Sequence, residues 1–309
     1  MSNIKVLKTY SSYALCRLTI SSMYHRMMST NVKHDTLSVC TFNVLAPCYK
    51  RLSSEIDRES AYDTMWQARH LSIIKLLQSL NINLICLQEF WLKNPLFAQL
   101  YTSNLSSKYS FYTLQRTSSL DDGLAILVDT NHLQVIDKCE FKLNDVGNRV
   151  GLLLHLKFQE KNLLLFNIHL TFPHYRFERR VRIKQIKKFL DLLNEYQKSK
   201  NLFNQCSIIF CGDFNSSYHH DHVYQLIENN QFQSSYRVIH GTEPNVTHLT
   251  HRKEQLGVDF IFYKSDFLQP ISSELIPRGC NHMKWHDQSG WNLSDHRAIL
   301  TTFQSINKE

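Results

Sequence analysis

At 309 residues, with 43% hydrophobic and 12% aromatic residues, the chain has the material for one large α/β domain or two small ones, each with a substantial core. Every apolar run is broken by a charge within about ten residues, which excludes a membrane-spanning helix. The net charge of +8 is uneven, because Lys5, Lys8, Arg17, Arg26 and Lys33 precede the first acid; the remaining body is modestly basic and permits an anionic substrate without demanding one.

Residues 1–34, acid-free and rich in Ser and Met, read as a basic leader, either a mitochondrial transit peptide or a disordered tail. The one domain boundary falls near residue 35, leaving residues 35–309 as a single α/β domain. Residues 37–42 form a strand-like run into Asn43. Ile73, Leu77 and Leu80 at i, i+4 and i+7 predict a helix over 60–80. The run 84–88 leads into Glu89, and Pro95 opens a second helix through Leu96, Leu100 and Tyr101. Strands at 125–128 and 152–158 fill the middle, and the run 163–168 delivers His169.

A third helix spans 176–197, with Ile186, Leu190 and Leu193 on one stripe. Arg179, Arg180, Arg182, Lys184, Lys187 and Lys188 lie on its other face, either solvated or steering substrate phosphates. The apolar run 208–211 ends in Gly212 and then presents Asp213 and Asn215 two positions apart, on one face of a strand. Residues 223–230 form a short helix for which Asp221 is an N-cap; His219, His220 and His222 beside it read as a solvated loop. The polar stretch 236–256 predicts a long loop near the site, in which His248 and His251 either touch substrate or, as the preferred reading, are surface histidines. Asp259 then opens an apolar run over 260–263, and Asp295 and His296 open another over 298–300. Trp66, Trp91, Trp285 and Trp291 are read as core or loop packing.

Six strand-like runs thus carry Asn, Asp, Glu or His at one end. A buried strand ending in unpaired polar groups costs several kcal/mol unless something binds them. The pattern therefore points to one polar site at the rim of a sheet core. Glu89, Asp213 and Asp295 as bare neighbours would raise each other's pKa, and a hard divalent cation resolves this. Mg²⁺ suits the oxygen donors, with Mn²⁺ as the alternative. Asn43 and Asn215 orient without adding charge, and His169 and His296 supply a donor or a proton acceptor. Such a set suits hydrolysis at phosphorus. There is no P-loop and no Gly-x-Ser-x-Gly elbow. The eight cysteines include no Cys-x-x-Cys pair, and Cys40, Cys86, Cys206 and Cys211 sit in or beside apolar strands; a reduced, intracellular setting is expected, cytoplasmic or mitochondrial.

In order along the chain, Thr41-Phe42-Asn43-Val44-Leu45, Leu87-Gln88-Glu89-Phe90, Asn167-Ile168-His169-Leu170, Gly212-Asp213-Phe214-Asn215-Ser216, Val258-Asp259-Phe260-Ile261 and Ser294-Asp295-His296 resemble the endonuclease/exonuclease/phosphatase superfamily. The resemblance runs from about residue 36 to 303. Within the superfamily the motifs are most similar to the carbon-catabolite-repressor and nocturnin-like branch and to plant proteins described as calcium-binding, although no EF-hand loop is present. The resemblance implies a four-layer sandwich of two mixed β-sheets flanked by helices. It implies Glu89 as primary metal ligand, completed or oriented by Asn43 and Asp295. It implies that His169 donates to the phosphoryl oxygen, that Asp213 and Asn215 position water or a second metal, and that Asp259 holds His296. Asp213 and His296 remain alternatives for the general base. The expected activity is a metal-dependent phosphodiesterase, a 3′-end exoribonuclease on RNA. The alternative is a phosphoesterase for a small or lipid substrate, such as sphingomyelin, a phosphoinositide or a nucleotide phosphate. Residues 247–255 depart from the branch's Tyr-Thr-Asn-rich loop, so poly(A) specificity is not implied.

Overall fold

The computed structural model describes residues 36–143, 145–173, 178–218, 222–280, 285 and 291–306. The leader and the Asp221 cap, with His219 and His220, lie outside the described residues. In chain order the elements are β1 (Thr36–Asn43), α1 (Asp63–Leu80), β2 (Leu84–Phe90), α2 (Pro95–Leu105), β3 (Tyr109–Gln115), β4 (Gly123–Asp129), β5 (Gln134–Lys142), β6 (Val150–Phe158) and β7 (Lys161–His169). There follow α3 (Glu178–Ser199), β8 (Cys206–Asp213), α4 (His222–Asn229), β9 (Gln233–Ser234), α5 (Ser235–His240), β10 (His248–Leu249), β11 (Gln255–Leu256), β12 (Asp259–Lys264), β13 (Leu268–Ile276) and β14 (Ala298–Ser305).

Two six-stranded sheets result, in the orders β13-β14-β1-β2-β4-β3 and β5-β6-β7-β8-β12-β9. Each contains one parallel pair, β1 with β2 and β7 with β8, and is otherwise antiparallel. The central strands are apolar on both faces, as strands covered on both sides must be. Leu37, Val39, Leu84, Cys86, Leu163, Leu165, Ile209, Cys211 and Ile261 meet between the sheets. Their sequence neighbours point outward. Phe42, Ile85 and Leu87 pack under Trp66, Ile73 and Leu77 of α1 and Phe97 and Tyr101 of α2. Leu164, Phe166 and Phe210 pack under Ile186 and Phe189 of α3 and Tyr224 of α4. Helix, sheet, sheet, helix is thus the layer order, and the expected four-layer sandwich of two mixed sheets is what forms. No helix among the described residues is long and apolar enough to cross a membrane.

Strand alternation carries this architecture into the site. Counting along β1, β2, β7, β8 and β12, the inward-facing parity continues to Asn43, Gln88, Asn167, His169, Asp213 and Asp259. Register then aligns them: His169 pairs with Asp213, and Asp213 with Asp259, across neighbouring strands. One layer deeper, Gln88 donates to Asn167 across the gap between the sheets at 2.7 Å, tying the two rims together. Gly212 has a φ of +144°, and a Cβ there would stand 2.0 Å from the Ile168 carbonyl oxygen, so the residue before Asp213 has to lack one.

Among the described residues six strands escaped the sequence reading, the long β3, β5 and β13 and the two-residue β9, β10 and β11. Both β5 and β13 expose alternate residues along much of their length, and an edge strand of that kind lacks the continuous apolar run that marks a buried one. The stretch 236–256 is not a single loop, since most of α5 and the short β10–β11 pair lie within it.

Candidate active site

Glu89 stands where β2 breaks register, between Gln88 and Phe90, with φ at +55°. Regular alternation would have sent its side chain outward with Ile85 and Leu87. The bulge re-aims it into the rim, a use bulges commonly have beside functional sites. There Glu89 Oε1 accepts from Asn43 Nδ2 at 3.1 Å and Oε2 from the Ala46 amide at 3.1 Å. The same Asn43 nitrogen lies 3.1 Å from Asp213 Oδ2, while Asn43 Oδ1 accepts from the Leu45 amide at 3.0 Å. Both ends of the Asn43 amide are therefore engaged within the protein. In this arrangement Asn43 aligns two carboxylates, which is the orienting role expected of it, and its Oδ1 retains a second lone pair.

Arg69 secures this corner from α1. It bonds the carbonyls of Val44, Leu45 and Leu293 at 2.7–2.9 Å and pairs with Glu59. Ser294 Oγ donates to the Asn43 carbonyl at 2.7 Å and accepts from the His296 amide at 3.1 Å. The loops carrying Glu89's partners and those carrying Asp295 and His296 are thereby joined. Arg69 shares an apolar stripe with Trp66 and Ile73, and a lone cation on such a stripe was the available sequence signal for it.

On the opposite sheet, His296 Nδ1 meets Asp259 Oδ2 at 2.9 Å, and His296 Nε2 lies 3.7 Å from Asp213 Oδ2. His169 Nε2 approaches the same oxygen at 3.4 Å. Burial opposes protonation of His296, but Asp259 and Asp213 outweigh it and raise its pKa to about 10. Burial and the charges of Arg149 and Arg116 instead push His169 well below the usual histidine range. A cationic and a neutral imidazole therefore flank one carboxylate. Burial also raises the Asp213 pKa. Asn215 takes a φ of +47°, donates its amide N–H to Asp213 Oδ1 at 2.9 Å and its side-chain nitrogen to the Leu170 carbonyl at 3.0 Å.

His248 overturns its sequence reading as a surface histidine. It is 4% exposed, its ring stacks on His296 at 4.0 Å between centroids, and its Nε2 lies 3.6 Å from Asp295 Oδ2. The backbone delivers it: Leu249 donates to the Asp295 carbonyl and Arg297 to the Thr247 carbonyl, lacing 247–249 against the start of β14. Among the described residues no local pattern marks His248, because its neighbour in space is 48 positions away. His251, by contrast, is exposed at the rim.

Glu89, His169, Asp213, Asn215, His248, Asp295 and His296 line a cavity of about 670 Å³. Tyr49, Phe172 and Trp291 form part of its wall, and Trp285, fully buried, packs behind Trp291. Its cations are Lys50, Arg51, Arg58, Arg116 and Arg149, all missed by the sequence reading. None of the basic residues of α3 lines it, and Arg182 is buried with Nη1 on the Thr171 carbonyl at 3.3 Å.

The donor set fits a divalent cation at Glu89 and Asp295. Desolvation, reinforced by Asp295 and Asp122, raises the Glu89 pKa to about 7, the sign of a negative site short of positive charge. Asp259 and Asp213 are differently placed, since His296 already compensates them. Among the described residues, two sets of ligand atoms lie within 4.8 Å of one another, His248 with Asp295 and His296, and Asp213 with Asp259 and His296. The protonated His296 is common to both, which makes each an ion-pair array in this state.

A family model described as endonuclease/exonuclease/phosphatase matches residues 40–296. An uncharacterized calcium-binding protein of Arabidopsis thaliana is 36% identical over 81% of this chain and 55% of its own length. Protein angel of Drosophila melanogaster is 26% identical over 49% of the chain and 44% of its own length. The chain spans about half the length of these curated relatives. Among solved structures, the human Nocturnin catalytic domain with bound sulfate superposes with a TM-score of 0.68 at 19% identity, covering 88% of this chain and 95% of that one. Danio rerio TDP2 complexed with single-strand DNA product gives 0.62 at 19% identity, covering 87% and 99%. With the family pattern matched from β1 to the start of β14 and the same two-sheet fold, the chain belongs to the endonuclease/exonuclease/phosphatase family, whose members are hydrolases of phosphoester bonds.

Proposed function

We propose that this protein is a Mg²⁺-dependent phosphodiesterase that removes nucleotides from the 3′ end of RNA. The observation that carries the proposal is the pairing of opposite protonation states around Asp213 Oδ2, neutral His169 at 3.4 Å and cationic His296 at 3.7 Å. A site for phosphoryl transfer needs a base for water and donors for the developing charge; here Asp213 would be the base and the two imidazoles beside it the donors, His296 as a cation and His169 as a neutral ring.

Glu89 and Asp295 would hold the Mg²⁺, which polarises a phosphoryl oxygen when bound. The chain's own groups do the rest. Asp213, a carboxylate raised by burial and held by Asn43 and Asn215, takes the proton from water. His296 cannot act as that base while protonated. It donates from Nε2 to phosphoryl oxygen, and Asp259 keeps the ring oriented through Nδ1. His169 donates a second hydrogen bond to the same developing charge.

Tyr49, Phe172 and Trp291 offer surfaces on which bases stack, and Lys50, Arg51 and Arg58 offer cations for backbone phosphates. Sulfate and single-strand DNA in the two structural neighbours are anions of the same kind. A second reading, a single nucleotide phosphate as substrate, is favoured by the cavity volume of about 670 Å³, within the range of small-molecule pockets. The test is hydrolysis in Mg²⁺ against EDTA for a short 3′-hydroxyl RNA, single-stranded DNA, NADP⁺, sphingomyelin and a phosphoinositide. Stepwise shortening of the RNA supports the proposal. Turnover of NADP⁺ alone moves it to the second reading, and turnover of a lipid alone rejects both.

A further inference from the structure

Arg149 immediately precedes β6 and reaches the cavity that holds Glu89, His169 and Asp213. It is 6% exposed, and its Nε and Nη1 are buried without a hydrogen-bond partner among the described residues. Its placement is nonetheless built. Its amide donates to Asp145 Oδ1 at 3.3 Å and its carbonyl accepts from Leu143 at 3.2 Å. Gln185 of α3 clamps that loop, bonding Asp145 Oδ2 at 2.5 Å and Thr171 Oγ1 at 2.8 Å. Arg116 stands behind it, bound to Asp122 at 3.0 Å and to the Gly147 carbonyl at 2.8 Å. Its Nε is likewise buried without a partner among the described residues. Burial, then the charge of Arg116, lowers the Arg149 pKa to about 10.

Leaving a buried guanidinium unpaired is strongly unfavourable, and proteins rarely do so outside a ligand site. The charges of Asp122, then Asp213 and Glu89, favour its ionised form, but none of them reaches its Nε or Nη1 as a hydrogen-bond partner. Arginine suits phosphate because its N–H groups lie in a rigid planar array. We propose that Arg149, backed by Arg116, is a catalytic residue that binds a non-bridging oxygen of the substrate's phosphate. The inference rests on the phosphoesterase reading above and adds a fixed protein cation to the metal and histidines.

The test uses the full chain in Mg²⁺, with bis(4-nitrophenyl) phosphate as substrate and inorganic phosphate as the bound probe. Arg149→Met should reduce kcat/KM by roughly 10²-fold, as removal of one preorganised donor does. It should also abolish most of the rise in Tm that phosphate produces. Its own Tm without phosphate should equal or exceed wild type, because an uncompensated buried cation is gone. Arg149→Lys, which keeps the charge, should fold and lose part of both the activity and the phosphate protection. Phosphate protection undiminished in either variant overturns the proposal. So does a lower Tm in Arg149→Met with kcat/KM intact, which would make Arg149 a structural counter-charge to Glu89 and Asp213. Arg149-dependent phosphate binding without cleavage of any ester would sink the phosphoesterase reading and keep the anion site. Cleavage indifferent to Arg149 would do the reverse.

Discussion

The two sheet rims that meet at the cavity are built from similar residues yet differ in electrostatic state. On the second sheet, His169, Asp213 and Asp259 lie in register, and His296 docks between the two carboxylates as a cation. On the first sheet, Glu89 is held by two neutral donors and faces the like charge of Asp295. One rim is compensated from within; on the other, His248 and His296 compensate Asp295, and Glu89 is left short of positive charge. The compensated rim therefore suits proton handling, and the uncompensated rim suits a metal.

The largest expected effect comes from the uncompensated rim. Glu89→Gln should lower Mg²⁺-dependent hydrolysis by roughly 10³-fold, the upper end for one preorganised electrostatic partner. The Tm in EDTA should not fall. Activity within tenfold of wild type at saturating Mg²⁺ would remove Glu89 from the site.

The compensated rim should respond less steeply. Asp259→Asn keeps a hydrogen bond but favours the wrong tautomer and weakens the imidazolium, so a loss of about 10²-fold is expected. Combining it with His296→Ala should cost little more than His296→Ala alone. Fully additive losses would show that the two residues act independently.

Stability against pH separates the rims with opposite partners but one sign. Glu89 rises from 4.5 unfolded to about 7 folded, so the native state binds more protons in that window and metal-free stability falls as pH rises through it. Glu89→Gln should flatten this slope, as should Mg²⁺. His296 rises from 6.5 to about 10, so its contribution is complete below 6.5 and lost as pH climbs toward 10. Denaturation in EDTA at several pH values measures both. A Glu89→Gln slope matching wild type from 4.5 to 7 would mean that the first rim is not short of charge.

The smallest effects concern substrate steering. Arg51 and Arg58 line the cavity, whereas Arg179 and Lys187 are exposed on α3 away from it. Replacing Arg51 and Arg58 with Gln should reduce the slope of log binding against log salt by roughly 0.7 for each backbone phosphate no longer neutralised. Replacing Arg179 and Lys187 should leave it unchanged. The reverse result would restore the basic helix as the steering face.

Much of this molecule could be read from residues in a row. Apolar runs ending in polar groups identified β1, β2, β7, β8 and β12 and placed Asn43, Glu89, His169, Asp213 and Asp259 at strand ends on one rim, whereas the face each takes came from the packed sheets. Those features are local: alternation follows from backbone geometry, and a strand buried on both sides must be apolar along its length. What depended on tertiary structure was every contact made across distance. Glu89 has the wrong parity for the site, and only a bulge at φ +55° turns it inward. His248 reaches His296 only because short backbone pairs lace a polar loop to the start of β14. Arg69 and Arg149 carry no motif, since an arginine's worth depends on what surrounds its guanidinium, carbonyls and Glu59 for one and an unpartnered cavity wall for the other. Sequence periodicity sets which way a side chain leaves its own strand. Which charges it then meets, and hence its protonation, is set by the packing of two sheets whose rims lie up to 253 residues apart, from Asn43 to His296.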